Sequence, residues 1–137
     1  MIGVIPVILF PQQEKPIRTL SAQNLSPGVQ GEKPEINTEY EKTLREYEKL
    51  IKKYPDKKEL YYNLGNFNYL SGDTESALQN YRNSLIDADP KSKANTLYNM
   101  GNTLYQMGDL QKSVKLFKEA LTLAPEDEDI RYNYELS

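Results

Sequence analysis

Two stretches of this chain repeat each other: YYNLGNFNYLSGD at residues 61–73 and LYNMGNTLYQMGD at residues 97–109. They align without a gap at an offset of 36 residues, which brings Gly65 onto Gly101. An internal period of this length is typical of folds that stack one supersecondary unit on the next. The repeat, more than any single residue, therefore decides the fold.

Each repeat unit predicts two helices, an opening helix and a closing helix, joined by a tight turn. In the opening helix, Leu97, Met100 and Leu104 follow a helical period, and Gly101 permits close approach of a second helix. A Gly-Asp pair then predicts the turn, because Gly adopts the left-handed conformation that ends a helix and Asp caps the next one. Matching stripes of small and large residues lie on the closing helices: Ala77, Leu78, Tyr81, Ser84 and Leu85, and Ser113, Val114, Phe117, Ala120 and Leu121.

One proline recurs at the predicted end of each repeat unit. Pro55, Pro90 and Pro125 recur every 35 residues, and each is expected to end a unit because Pro cannot continue a helix. About two residues are inserted near Asp89, after the first full unit. The predicted repeat domain spans residues 38–137, with a degenerate unit at 39–55, full units at 58–90 and 94–125, and a partial final helix at 126–137.

The first 37 residues differ in composition from the rest. Residues 1–10, MIGVIPVILF, are apolar, but no Lys or Arg precedes them as in a secretory signal, and a bilayer span needs about 20 residues. Three interpretations stay open: a truncated export signal, a weak membrane or partner anchor, or a disordered apolar tail. Residues 11–37 contain four Pro and two Gly and predict a flexible linker, so the N-terminal leader as a whole is expected to be disordered.

Composition excludes several classes of function. The 137 residues include no His and no Cys, which removes the usual proton shuttle, thiol nucleophiles and the commonest metal ligands. We therefore expect no catalytic residues, no metal and no cofactor. With 17 basic and 20 acidic residues, the chain has no broad basic field for nucleic acid, so no nucleic-acid partner is expected.

One local group of charges stands out. Five lysines surround Pro55: Lys49, Lys52, Lys53, Lys57 and Lys58. The simpler interpretation is a solvated surface, and the alternative is contact with an acidic partner or anionic lipid.

The order of residues in each unit resembles the tetratricopeptide repeat, over roughly 100 residues. Leu-Gly or Met-Gly in the opening helix, Gly-Asp at the turn, and alternating small and aromatic residues before Pro carry the resemblance. The first full unit departs from the pattern at Asn68, where a large apolar residue is expected. The resemblance implies antiparallel helix-turn-helix hairpins stacked as a short right-handed solenoid, with the opening helices lining a concave groove.

That groove supplies the candidate binding residues. Tyr62, Asn66 and Tyr69 are spaced i, i+4, i+7 and share one helix face, and neither opening helix has a charge over residues 60–71 or 94–107. The alternative is that these tyrosines pack in the core and the asparagines satisfy local hydrogen bonds. The predicted groove residues are Tyr62, Asn66, Tyr69, Tyr98, Asn102, Tyr105 and Tyr132. Because tyrosines stand where a carboxylate-binding Lys would be expected, the resemblance implies no carboxylate clamp.

The closing stretch PEDEDIRYNYEL and the lengthened DPKSKA junction look like the tetratricopeptide proteins of bacterial aerotolerance (Bat) operons. This second resemblance implies a bacterial envelope protein, periplasmic or membrane-associated, with von Willebrand A-domain membrane proteins and a MoxR-type AAA+ ATPase as partners. If residues 1–10 are not a signal, the expected location is the cytoplasm. Any membrane contact is expected only through those residues. The function predicted is a non-catalytic adaptor that binds a protein or peptide. The alternative is a structural module whose units stack into a homo-oligomer.

Overall fold

The computed structural model describes residues 38–137, and over that range the chain forms helices without strands, as the sequence predicts. The predictions for residues 1–10 and 11–37 lie outside the described residues. Six helices follow one another: α1 (Thr38–Lys53), α2 (Lys58–Leu70), α3 (Thr74–Ser84), α4 (Pro90–Gln106), α5 (Leu110–Leu123) and α6 (Glu128–Leu136). None of these helices is long and apolar enough to cross a membrane.

Two helical hairpins, α2 with α3 and α4 with α5, form the centre of the fold. In α4–α5, the ring of Phe117 lies against Gly101, where the missing side chain leaves room for it. Gly108 adopts a φ of 82°, which ends α4, and the Asp109 carboxylate accepts a hydrogen bond from the Lys112 N–H at the start of α5. Gly72 and Asp73 do the same in α2–α3, so the predicted turns are confirmed in both units.

The first and last helices are halves of a unit. The sequence predicts a degenerate unit at 39–55, and the structure has one helix there, α1. Its Thr43 and Tyr47 are buried at the places that Ala77 and Tyr81 occupy in α3, so α1 corresponds to a closing helix. At the other end, α6 corresponds to an opening helix.

The junction between the full units differs from the prediction. Pro90 is expected to end a unit, but it is the first residue of α4, which begins four residues before the predicted Ala94. Pro is tolerated in the first turn of a helix because the N–H there has no partner within the helix. Asp89 caps this helix through the Ser92 N–H. The chain reaches the cap through Asp87, whose φ is 56°, and α3 ends correspondingly early at Ser84.

The core lies between the two helical layers and matches the predicted stripes. Tyr81 and Phe117 are fully buried, and Leu85 is half-buried between the two units. Small residues let the helices pack closely: the Ser113 hydroxyl donates to the Gly101 carbonyl oxygen at 2.9 Å, which ties α5 directly to the backbone of α4. The core therefore fixes the positions of the opening helices α2, α4 and α6, which carry the candidate site.

Candidate functional site

A buried hydrogen-bond network joins α2, α3 and α4. The side-chain oxygen of Asn66 accepts from the Tyr81 hydroxyl and from the Asn99 amide, each at 2.9 Å. The Asn99 amide also donates to the Tyr62 hydroxyl at 3.0 Å. Asn66 and Asn99 are almost fully buried, and a buried amide left without partners costs about 1–3 kcal/mol. This network therefore fixes how the second opening helix sits against the first.

The same arrangement recurs one repeat later, between α4 and α6. The Asn133 amide donates to the Tyr98 hydroxyl at 2.6 Å and to the side-chain oxygen of Asn102 at 3.0 Å. Tyr98, Asn102 and Asn133 thus take the places of Tyr62, Asn66 and Asn99. We call the two sets together the Asn–Tyr network. It is built from residues on consecutive opening helices, so it acts between repeats.

Four of the seven predicted groove residues are not on an open surface. Asn66, Tyr98 and Asn102 are exposed by 0%, 1% and 1%, and Tyr69 by 5%. The expectation of open groove positions is wrong for these four, because the next opening helix covers Asn66, Tyr98 and Asn102, and Tyr69 packs in the core with Tyr81. The interpretation that the tyrosines pack and the asparagines form hydrogen bonds describes them better.

The other three predicted groove residues reach solvent to different degrees. Tyr62 and Tyr105 are half-buried, and Tyr132 is 57% exposed. Tyr132 occupies the place of Tyr98, but no helix follows α6 within the described residues to cover it. A binding role for Tyr62, Tyr105 and Tyr132 stays a prediction.

The repeat pattern did not predict the donors of the network, which are Asn99, Asn133 and the Tyr81 hydroxyl. A signal for the asparagines was present: Asn63, Asn99 and Asn133 recur at offsets of 36 and 34 residues. An uncharged polar residue that recurs with the repeat, beside core residues, indicates a hydrogen bond between units. The hydroxyl of Tyr81 has no counterpart in Phe117, so periodicity alone could not reveal it.

Asn68, the departure in the first unit, has a specific role at the α1–α2–α3 junction. Its amide donates to the Tyr40 hydroxyl at 3.4 Å, and its oxygen accepts from the Asn80 amide at 2.9 Å. The equivalent residue in the second unit, Leu104, is buried in the core. Asn68 lines a cleft of about 450 Å³ beside α1, with Leu44, Ile51 and Tyr61 among its walls.

Burial of the tyrosine hydroxyls predicts a loss of stability at alkaline pH. Burial raises the pKa of Tyr62 to about 12 and the pKa of Tyr81 above its ordinary value of 10.0. The unfolded chain therefore releases these protons at lower pH than the folded one. The contribution of these tyrosines to the free energy of unfolding should be fully present below pH 10. Above pH 10, the free energy of unfolding should fall by about 1.4 kcal/mol per pH unit for each such tyrosine. Urea unfolding at pH 8 and pH 11 measures this loss.

Tyr81→Phe provides the control for the alkaline loss. Phe117 occupies the equivalent position in α5, so the fold accommodates the ring without its hydroxyl. The variant loses the hydrogen bond to Asn66 at every pH, but its free energy of unfolding should decrease less steeply above pH 10 than that of the wild type. An identical slope would show that Tyr81 does not contribute to the titration.

We call the side of α2, α4 and α6 that carries Tyr62, Tyr105 and Tyr132 the inner face, and its accessible part offers aromatic rings. Tyr132 projects from α6, Tyr105 lies on α4, and Leu136 is exposed one turn beyond Tyr132. Tyrosine supplies rigid apolar area together with a hydroxyl that donates and accepts hydrogen bonds. The surface is therefore chemically suited to a segment of another protein that has apolar side chains to bury.

Comparison with known proteins agrees with this architecture. Residues 59–126 match the family model described as Tetratricopeptide repeat, which spans the hairpins α2–α3 and α4–α5. A search of curated proteins found no match to the chain. Repeats of this family generally mediate protein–protein interactions and are generally non-catalytic. The protein is therefore a tetratricopeptide-repeat protein, with its repeats in residues 59–126.

Proposed function

We propose that this protein is a non-catalytic adaptor that holds a segment of a partner protein against the inner face of α2, α4 and α6. Tyr62, Tyr105 and Tyr132 are the contact residues in this proposal. The Asn–Tyr network, which includes the Tyr62 hydroxyl, keeps the opening helices in register. The partner segment is mainly apolar, because the contact tyrosines offer apolar area and residues 60–70 of α2 and 94–106 of α4 carry no charge. On α6, Arg131 is exposed beside Tyr132.

The exposure of Tyr132 supports the proposal most directly. Its equivalent, Tyr98, is covered by Asn133, whereas Tyr132 leaves 57% of its surface in water next to the exposed Leu136. A large aromatic residue beside an exposed leucine gives a partner apolar area to bury. Tyrosine is also among the residues that most often dominate binding energy at protein interfaces.

The resemblance to Bat-operon proteins supplies the finer proposal. The adaptor would act in the bacterial envelope, periplasmic or membrane-associated, in a complex of the aerotolerance type. Its partners would be von Willebrand A-domain membrane proteins, together with a MoxR-type ATPase. The lengthened junction that carries part of this resemblance is the segment around Asp89, where the two-residue insertion extends the start of α4.

Site-specific photo-crosslinking in the native host tests the proposal. A photoreactive phenylalanine derivative replaces Tyr105 or Tyr132 on the inner face, or Tyr61 on the cleft side of α2 as the control. We expect positions 105 and 132 to yield the same crosslinked protein, carrying an A-domain, and position 61 to yield none. Crosslinks of equal yield from all three positions would refute the inner face as the binding surface. A common partner without an A-domain would refute only the aerotolerance assignment.

Self-assembly is the second candidate, favoured by the exposure of Tyr132 and Leu136. A second copy packed on α6 would bury Tyr132 and Leu136 as the next repeat buries Tyr98. Size-exclusion chromatography with light scattering separates the two proposals. A stable monomer at micromolar concentration would contradict self-assembly, and a dimer that dissociates on Tyr132→Ala would support it.

A further inference from the structure

The turn between α1 and α2 concentrates positive charge on exposed side chains. Lys49, Lys52 and Lys53 lie on the last turns of α1, Lys57 lies in the connection, and Lys58 begins α2. Four of the five are exposed, and Lys58 is half-buried. Lys49 pairs with Glu46 at 3.2 Å, whereas the other four have no ion-pair partner among the described residues. We call residues 49–58 the basic turn.

Tyr54 organises the centre of the basic turn. The Lys53 ammonium lies 5.2 Å from the centroid of the Tyr54 ring, and the Lys57 ammonium lies 5.0 Å from it. Both distances are within the range of a cation–π contact. Two ammonium groups that would repel each other are thus held beside one aromatic ring. Nearby, the Lys58 ammonium lies 5.8 Å from the Tyr61 ring, which extends the surface along α2.

The charge of the basic turn is opposite to that of the remaining repeats. Residues 49–59 contain five lysines against Asp56 and Glu59, a net charge of +3. Residues 60–137 contain seven basic and eleven acidic residues, a net charge of −4. An anionic surface would therefore attract one end of the repeat region and repel the rest, so binding would orient the protein.

We propose that the basic turn docks on an anionic membrane surface. The turn carries four exposed lysines on both sides of Pro55, and this spread of charge suits an extended anionic surface better than a single acidic side chain. Its cations are lysines, which act as mobile point charges, and it has no Arg for bidentate recognition of a carboxylate. Tyr54 is of the aromatic type that favours the polar boundary of a bilayer. This surface is separate from the inner face, so the proposal does not depend on the adaptor function.

Vesicle co-sedimentation tests the proposal with the full chain. The wild type is compared with Lys53→Glu/Lys57→Glu and with Lys115→Glu/Lys118→Glu, which makes the same change in net charge on the exposed side of α5. The probes are vesicles of phosphatidylcholine alone and of phosphatidylcholine mixed equally with phosphatidylglycerol. We expect the wild type to bind the anionic vesicles in preference, and the basic-turn variant to bind them about tenfold more weakly or worse. The α5 variant should lose less than about threefold, and binding of the wild type should weaken with salt.

Three results would overturn the proposal. Equal losses in both variants would mean that net charge alone, and not the basic turn, determines binding. Equal binding of the wild type to neutral and anionic vesicles would assign the membrane contact to apolar residues. Binding to a polyglutamate peptide in the absence of vesicle binding would identify an acidic protein as the partner. The partner captured by Tyr105 and Tyr132 is unaffected by any of these results.

Discussion

Replacing Gly101 by leucine is expected to lower the free energy of unfolding by about 3 kcal/mol or more, enough to unfold a small domain of ordinary stability. A Cβ atom at Gly101 would lie 2.5 Å from Cε1 and 2.7 Å from Cδ1 of Phe117. The ring is fully buried, so it cannot turn into solvent to relieve this contact. Thermal unfolding followed by circular dichroism measures the effect.

Gly101→Ala separates close packing from helix propensity. In an exposed helix, Gly→Ala stabilises by about 1 kcal/mol, so propensity and packing predict opposite signs at this site. We expect a net loss of about 2 kcal/mol, since the contact with Phe117 outweighs the propensity gain. Adding Phe117→Leu to Gly101→Ala should recover part of that loss. A Gly101→Ala variant more stable than the wild type would contradict the packing of α5 on α4.

Asn66→Ala is expected to cost about 3 kcal/mol, because both the Tyr81 hydroxyl and the Asn99 amide lose their acceptor. The Tyr81–Asn66 hydrogen bond lies within the α2–α3 hairpin, whereas the Asn99–Asn66 hydrogen bond joins this hairpin to α4. Part of the loss should therefore appear as weakened coupling between the repeats. Urea unfolding gives the free energy, and amide hydrogen exchange along α4 reports the loosened interface.

Two controls distinguish loss of this hydrogen bond from loss of an asparagine side chain in general. Asn83→Ala removes a half-buried amide of α3 outside the network and should change stability by less than about 0.5 kcal/mol. A double-mutant cycle of Asn66→Ala with Tyr81→Phe should give a coupling energy of about 1 kcal/mol. Additive effects in the cycle would mean that the Tyr81–Asn66 hydrogen bond does not contribute to stability.

Much of the fold follows from the repeat in the sequence. Gly72 and Gly108 predict the two turns because the left-handed conformation they adopt is unfavourable for other residues. The paired stripes around Tyr81 and Phe117 predict the core because equivalent positions in a repeat have equivalent neighbours. The sequence did not predict the role of Pro90, because Pro is compatible with either the end of one helix or the first turn of the next.

The candidate site was harder to predict for a physical reason. Helical spacing identifies the face on which Tyr98 and Asn102 lie, but spacing does not state how closely the next helix approaches that face. Exposure depends on the neighbouring unit: Asn133 covers Tyr98, and no described residue plays that part for Tyr132. The same residue type at the same repeat position thus belongs to the interior in one unit and to the surface in the next.

The difference between buried and exposed residues of the predicted groove determines which variants report on binding. Tyr98→Ala with Asn102→Ala would remove both acceptors of the Asn133 amide and loosen α6, so a loss of partner binding would reflect lost structure. Tyr105→Ala with Tyr132→Ala removes side chains that reach solvent. Tyr132 has no part in the Asn–Tyr network, but Tyr105 packs partly against the core around Phe117. The variant should therefore lose some stability and still fold, which circular dichroism checks before binding is measured.

The measurement that tests the central claim most directly is the affinity of the crosslinked partner for purified Tyr105→Ala/Tyr132→Ala protein, compared with the wild type by isothermal titration calorimetry. If the inner face holds the partner, the affinity should fall by about thirtyfold or more, about 2 kcal/mol, with helicity retained. An unchanged affinity in a folded variant would contradict the account and place the binding surface elsewhere on the repeats.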